Sequence, residues 1–172
     1  MKGIFYGIGI GPGDPEHITL KAFRTMKEVD VIAAPGTNVK ETLAYRIAVQ
    51  AVPEIEQKEM LPIDMPMTMD KELLLKAHKN GAETIEKVLA EGKSVGFITL
   101  GDTTVYSTFS YLEKIVKEHG FKTVYISGIT SFCAAAASLG IPLTEWQEPL
   151  HVIPAVHQLD DKLALDGSYV LM

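Results

Sequence analysis

Cysteine, arginine and long apolar runs are all scarce in this chain of 172 residues. A single cysteine cannot form an intrachain disulfide, which suits a reducing compartment. The apolar runs are far shorter than the ~20 residues of a membrane-spanning helix, and the N-terminus does not have the pattern of a secretory signal. With 22 acidic against 16 basic residues, the chain lacks the dense basic surface of a nucleic-acid binder. We therefore expect a cytoplasmic protein that binds neither nucleic acid nor membrane.

Short β-rich segments alternate with helical patterns along the whole chain, which predicts an α/β fold with a mostly parallel sheet. The predicted strands are residues 3–10, 30–34, 57–61, 94–100, 123–126, 151–153 and 169–171. The predicted helices are residues 17–29, 38–52, 70–91, 106–119, a segment within 128–140, and 156–163. Residues 62–69 are too proline-rich for regular structure. We place a domain boundary near Gly120, between an N-terminal α/β domain (1–120) and a partial C-terminal α/β domain (121–172).

The first glycine-rich loop, GIGIGPGDP at residues 7–15, follows the first predicted strand. It fails the dinucleotide-binding fingerprint, because Pro12 occupies the position of the third glycine. The second strand also ends in Ala33-Ala34-Pro35, where that fingerprint needs an acidic residue. Two interpretations stay open, a ligand-binding loop and a tight strand-to-helix turn.

Two further glycine-bearing loops follow predicted strands, one at Gly101-Asp102 and one at residues 127–131. Asp102 could accept hydrogen bonds from a ligand or simply cap the following helix. Because open parallel sheets bind ligands beyond the carboxyl ends of their strands, we expect the three loops to form one pocket for a medium-sized polar ligand. The five histidines lack metal-ligand spacing, and a lone cysteine does not build a structural zinc site, so we expect no bound metal.

Four methionines, Met60, Met65, Met67 and Met69, cluster between the third predicted strand and the helix after it. Such a cluster is typical of adaptable packing. It could also serve as a flexible apolar wall for a planar ligand.

Together the three loops resemble the tetrapyrrole methylase family. GIGIGPGDPEHITLKA (residues 7–22) resembles its leading signature, and LGDTTVYSTFSYL (100–112) and ISGITSFCAAAASLGIPL (126–143) resemble its precorrin-2 (cobalt-factor II) C20-methyltransferase branch. The Pro66-Met67-Thr68 segment is similar to that branch too.

The resemblance implies two α/β domains, a homodimer, and S-adenosylmethionine folded in the cleft between the domains. By position it implies these cofactor contacts: Ile10, Gly101, Asp102, Val105, Tyr106, Thr130 and Ser131. It places Pro12 and Asp14 against the tetrapyrrole substrate. Tyr106 is also our candidate for positioning or proton transfer during catalysis.

The chain departs from the family pattern in two ways. Thr103 stands where the family usually has proline, which frees a backbone dihedral angle and adds a hydrogen-bond donor. Family members also continue beyond Met172, so we expect the second domain to be truncated at its C-terminus. The substrate is a polycarboxylate, and a chain with two arginines, Arg24 and Arg46, must bind it through lysines, through backbone amides at helix starts, or through the missing C-terminal segment.

The implied reaction is methyl transfer to C20 of precorrin-2 or cobalt-factor II in cobalamin biosynthesis. The alternatives are another tetrapyrrole methylase, acting on uroporphyrinogen or a different precorrin carbon, and a diphthine synthase. A non-catalytic binding protein, left after loss of the C-terminal elements, is an alternative of a different class.

Overall fold

The computed structural model describes residues 2–154 and 165–172. Its chain forms two compact units, Met1–Thr130 and Ser131–Met172. The strands of the first unit are β1 (Ile4–Gly9), β2 (Val31–Pro35), β3 (Glu59–Ile63), β4 (Val95–Thr99) and β5 (Lys122–Ile126). Its helices are α1 (Leu20–Glu28), α2 (Leu43–Ala51), α3 (Lys71–Ala90) and α4 (Phe109–Glu118).

The five strands form one sheet in the order β3-β2-β4-β1-β5, and every neighbouring pair runs parallel. Parallel sheets are covered on both faces, which explains why β2 and β4 are apolar and buried through most of their length. The prediction of an α/β fold with a parallel sheet is confirmed.

Side chains alternate between the two faces of β1, and each face has its own core. Ile8 packs with Met26 of α1 and Ile47 of α2 on one face. Phe5 packs with Ile85 of α3 and Leu112 of α4 on the other. The central strand is therefore held from both sides, and so is the position of the loop that follows it.

Side-chain caps shift the starts of two helices relative to the sequence predictions. Residues Pro15–His17 form a 3-10 helix, and α1 begins only after Thr19, whose hydroxyl accepts a hydrogen bond from the Ala22 amide at 3.2 Å. The predicted helix over 38–52 is likewise divided, because Thr42 caps α2 after a separate 3-10 helix. The prediction that Asp70 caps α3 is confirmed by hydrogen bonds from the amides of Glu72 and Leu73.

The prediction that residues 62–69 lack regular structure is wrong at their start. Pro62 and Ile63 belong to β3, which is an edge strand of the sheet. Proline is tolerated on an edge strand because it need not donate a hydrogen bond to a further strand.

The second unit contains α5 (Ser131–Leu139), β6 (Leu150–Ile153) and β7 (Ser168–Leu171), and its two strands pair in parallel. The helix predicted over 156–163 lies outside the described residues. The boundary near Gly120 stays a prediction; the strand that follows it, β5, pairs with β1 of the first unit.

No helix in the described ranges is long and apolar enough to cross a membrane.

We predict that Phe109→Ala lowers the free energy of unfolding by about 3–5 kcal/mol, since a fully buried aromatic side chain is lost from the core. Its ring centroid lies 4.9 Å from that of Phe5 and 4.8 Å from that of Tyr125. Tyr111→Ala is the control on the same helix; its side chain is 59% exposed, and the expected loss is below about 1 kcal/mol. Urea unfolding measures both, and equal losses would contradict this account of the core.

Candidate functional site

Three loops meet at the carboxyl edge of the sheet. The first loop (residues 10–14) follows β1, the second loop (100–108) follows β4, and the third loop (127–130) follows β5. These strands are neighbours in the order β4-β1-β5 and run parallel. This edge is where open α/β sheets bind ligands.

Glycines allow the end of β1 to touch the backbones of the second and third loops. A Cβ on Gly9 would lie 2.7 Å from both the Gly101 carbonyl oxygen and the Gly128 amide nitrogen. A Cβ on Gly128 would overlap the same Gly101 oxygen. Real side chains do not fit at such distances, so a residue larger than glycine at position 9 or 128 would push the loops apart.

A reciprocal pair of backbone hydrogen bonds joins the first and second loops. The Gly11 amide donates to the Gly101 carbonyl at 3.2 Å, and the Gly101 amide donates to the Gly11 carbonyl at 2.8 Å. Both residues have positive φ, +78° and +66°, which glycine adopts without steric cost.

Asp102 joins the second loop to the third. One carboxylate oxygen accepts a hydrogen bond from the Gly128 amide at 2.8 Å, and the other accepts from the Thr104 amide at 2.7 Å and from the Thr104 hydroxyl. Burial acts to raise the pKa of Asp102, but these hydrogen bonds outweigh it and hold the pKa below its ordinary value of 3.8. The ionised Asp102 side chain therefore joins two loops through hydrogen bonds. The sequence had suggested only a helix cap or an acceptor for a ligand.

Thr103 and Ser107 also organise the second loop, and sequence reasoning assigned no role in the site to either. The fully buried Thr103 hydroxyl donates to the Ile126 carbonyl at the end of β5, at 3.2 Å. The Ser107 hydroxyl accepts from the Phe109 amide at 3.2 Å, so the helix predicted from Tyr106 begins at Phe109. The sequence did contain one indication of this hydrogen bond: Thr103 replaces the proline that is usual in the family, and proline has no hydroxyl to donate.

Tyr106 stands out in the second loop because its φ is +48° and its side chain is 60% exposed. Positive φ is uncommon for a bulky residue, and such strained positions cluster at functional sites. Its neighbour Val105 is partly buried.

Two buried polar atoms near the first and third loops lack hydrogen-bond partners within the described part of the chain. They are the Thr130 hydroxyl oxygen and Nδ1 of His17. A buried polar atom without a partner is costly, which favours a bound group or water beside it. His17 was not among the predicted site residues.

The side chains of the remaining predicted site residues differ in their exposure to solvent. The Ile10 side chain is fully buried in the core, so any ligand contact would come from its backbone. Pro12 is partly buried, and Asp14 is exposed and caps the 3-10 helix through the Glu16 amide at 2.8 Å. Ser131 is exposed and begins α5 in the second unit.

We predict that Asp102→Asn lowers the free energy of unfolding at pH 7 by about 1–3 kcal/mol, since hydrogen bonds to an ionised acceptor are lost. Because the folded-state pKa of Asp102 is lowered, its stabilisation is present above the ordinary pKa of 3.8 and is lost as pH falls through the folded value. The difference between wild type and variant should therefore shrink in acid.

Urea unfolding at pH 7 and below pH 4 measures this difference, with the exposed Asp64→Asn as control. A difference that stays constant or grows in acid would show that Asp102 acts by some means other than its charge.

Comparison with a solved structure supports the fold. The uroporphyrin-III C-methyltransferase of Thermus thermophilus, complexed with S-adenosylhomocysteine, has a TM-score of 0.61 and 24% sequence identity. The match covers 90% of this chain and 60% of that one.

Two curated relatives match nearly the whole chain. A Methanocaldococcus jannaschii protein named "Probable cobalt-precorrin-2 C(20)-methyltransferase" is 42% identical over 168 residues, covering 97% of this chain and 70% of the relative. The cobalt-precorrin-2 C(20)-methyltransferase of Salmonella typhimurium is 32% identical over 176 residues, covering 100% and 73%. The chain is thus shorter than either relative.

A model of the tetrapyrrole (corrin/porphyrin) methylases matches residues 5–172. That range contains all three loops, whose backbones meet at one edge of a parallel sheet. The chain therefore belongs to the tetrapyrrole methylase family.

Proposed function

We propose that this protein is an S-adenosylmethionine-dependent C-methyltransferase that methylates C20 of precorrin-2 or cobalt-factor II in cobalamin biosynthesis. The 42% identity to a relative named for this reaction supports the C20 position over another precorrin carbon, uroporphyrinogen or diphthine. The convergence of three loops at one sheet edge carries the proposal on the structural side, because it supplies one place for a cofactor.

The first-unit loops fit a nucleoside cofactor in two respects. Gly13 and Gly101 have room where a side chain would stand, so a ligand can approach the main chain closely there. The buried Thr130 hydroxyl has no partner among the residues described, so it is free to donate to or accept from a bound ligand. S-adenosylmethionine, where bound, supplies an electrophilic methyl group.

In this proposal the cofactor contacts are Ile10, Gly101, Asp102, Val105, Tyr106, Thr130 and Ser131. Ile10 contributes its backbone, because its side chain is buried. Asp102 already accepts two hydrogen bonds from Thr104 and one from Gly128, but each carboxylate oxygen has two lone pairs and a further acceptor position remains. Its main task is to hold the second and third loops in register.

Catalysis then depends on placement. Holding a methyl group and a nucleophilic carbon at about 3–3.5 Å can contribute roughly 7–11 kcal/mol to lowering the barrier. The protein must also exclude water while positive charge on sulfur disappears. Loops that are held together by backbone contacts suit this alignment, because they keep their positions when a ligand binds.

On the substrate side, Pro12 and Asp14 of the first loop would face the tetrapyrrole. Asp14 repels the carboxylates of the substrate. Those carboxylates must therefore be bound by cationic side chains or backbone amides elsewhere in the protein. The proposal further includes a homodimer and a cytoplasmic location, as the family resemblance implies.

We predict that the protein binds S-adenosylhomocysteine in calorimetry and transfers labelled methyl from S-adenosylmethionine to precorrin-2. Thr130→Val should weaken S-adenosylhomocysteine binding about three- to tenfold, since one hydrogen bond is lost. Thr84→Val is the control, because the Thr84 hydroxyl donates to a carbonyl within α3. Methylation of uroporphyrinogen in place of precorrin-2 would contradict the proposed substrate. Failure to bind S-adenosylhomocysteine would favour the non-catalytic binding protein.

We predict that Tyr106→Phe lowers turnover by more than about threefold and leaves S-adenosylhomocysteine affinity unchanged, because only the phenolic hydroxyl is removed. Tyr45→Phe in the core of α2 should leave turnover unchanged. Steady-state methyl transfer measures both. A smaller effect at Tyr106 would remove it from positioning or proton transfer.

A further inference from the structure

His17 is a partly buried histidine next to the first loop, and the proposed function gives it no task. It is the last residue of the 3-10 helix Pro15–His17, and its amide donates to the Asp14 carbonyl at 3.0 Å. Nδ1 of its ring is buried and has no hydrogen-bond partner within residues 2–154 and 165–172. A buried polar atom that lacks a partner lowers the stability of the folded protein, so its presence requires an explanation.

His17 lies directly against a residue that joins two of the cofactor loops. A Cβ on Gly11 would stand 2.9 Å from the Cβ of His17 and 3.1 Å from its carbonyl oxygen. Only glycine at position 11 allows this approach. Gly11 is in turn paired with Gly101 through two backbone hydrogen bonds. The imidazole ring is therefore attached to the backbone beside the point where the first and second loops meet.

The chain just after His17 also contacts the third loop. The Thr19 hydroxyl donates to the Ser127 carbonyl at 3.4 Å. The third loop ends at Thr130, whose buried hydroxyl likewise has no partner in the part of the chain that the structure describes. Two unpaired polar atoms thus belong to segments that touch each other. A polar ligand bound beside these segments would offer a partner to both atoms.

We propose that His17 is a further cofactor-binding residue, whose Nδ1 forms a hydrogen bond with a polar group of S-adenosylmethionine. This inference rests on the proposed function and adds to it a side chain that the family resemblance does not assign to the site. The cofactor carries hydroxyl, amino and ring-nitrogen groups, so it offers a partner to either tautomer of the imidazole. The unpaired nitrogen destabilises the free protein, and cofactor binding removes that destabilisation.

This role predicts opposite effects of one substitution on stability and on binding. Leucine is similar in size to histidine but has no polar atom that can be left unpaired. His17→Leu should therefore raise the urea midpoint of the ligand-free protein and weaken S-adenosylhomocysteine binding about three- to tenfold, since one hydrogen bond is lost. A histidine that serves the fold alone would give a lower midpoint and an unchanged affinity.

Two further variants make the test specific to Nδ1. Asparagine places a polar atom about as far from its Cβ as Nδ1 is in histidine, so His17→Asn should keep S-adenosylhomocysteine affinity within about twofold of wild type. His119→Leu is the control, because His119 follows α4 at the opposite edge of the sheet, where its Nδ1 lies 2.8 Å from Glu86. It should leave the affinity unchanged. Titration calorimetry on the full chain measures all four proteins.

Nitrogen-15 NMR of the histidine rings gives a second measurement that does not depend on activity. The signals of His17 are identified as those that are missing from His17→Leu. Saturation with S-adenosylhomocysteine should shift the Nδ1 signal of His17, because a new hydrogen bond changes the shielding of that nitrogen. The ring signals of His119 should stay in place.

Wild-type S-adenosylhomocysteine affinity in His17→Leu, or an unmoved Nδ1 signal at saturation, would overturn this inference and leave the proposed function standing. Equal losses of affinity in His17→Leu and His17→Asn would overturn it as well, since the effect would then come from the shape of the ring. A lower urea midpoint in His17→Leu would show that Nδ1 already has a partner in the free protein, again against the inference. Failure of the wild type to bind S-adenosylhomocysteine would instead overturn the proposed function itself.

Discussion

The closest backbone approach in the candidate site, between Gly9, Gly101 and Gly128, is the constraint on which its other features depend. The end of β1 and the second and third loops can lie this near one another only where no Cβ intervenes. The paired hydrogen bonds between Gly11 and Gly101 then fix the distance between the first two loops. Because each loop leaves a strand of the same parallel sheet, the rigidity of the sheet passes directly to the loops.

Hydrogen bonds from polar side chains also hold the loops together, in addition to the glycine contacts. Asp102 accepts from the backbone of the third loop, and Thr103 donates to the end of β5, so the second loop is joined to its neighbour twice. Loops are usually the mobile parts of a fold. Here they are held by the hydrogen bonds that give Asp102 its lowered pKa, and a preorganised edge of this kind favours a reaction that depends on alignment.

The sequence alone determined the α/β class, the succession of the first-unit strands and the three loops, because hydrophobic runs and glycines are local signals. It also identified the capping of α3 by Asp70. It did not determine that Asp102 ties two loops, that Ile10 is buried, or that His78 stacks on Tyr111. Those facts join residues up to 33 positions apart in the chain. Only the order of strands in the sheet and the packing of α3 against α4 bring such residues together, and neither is encoded by neighbouring residues.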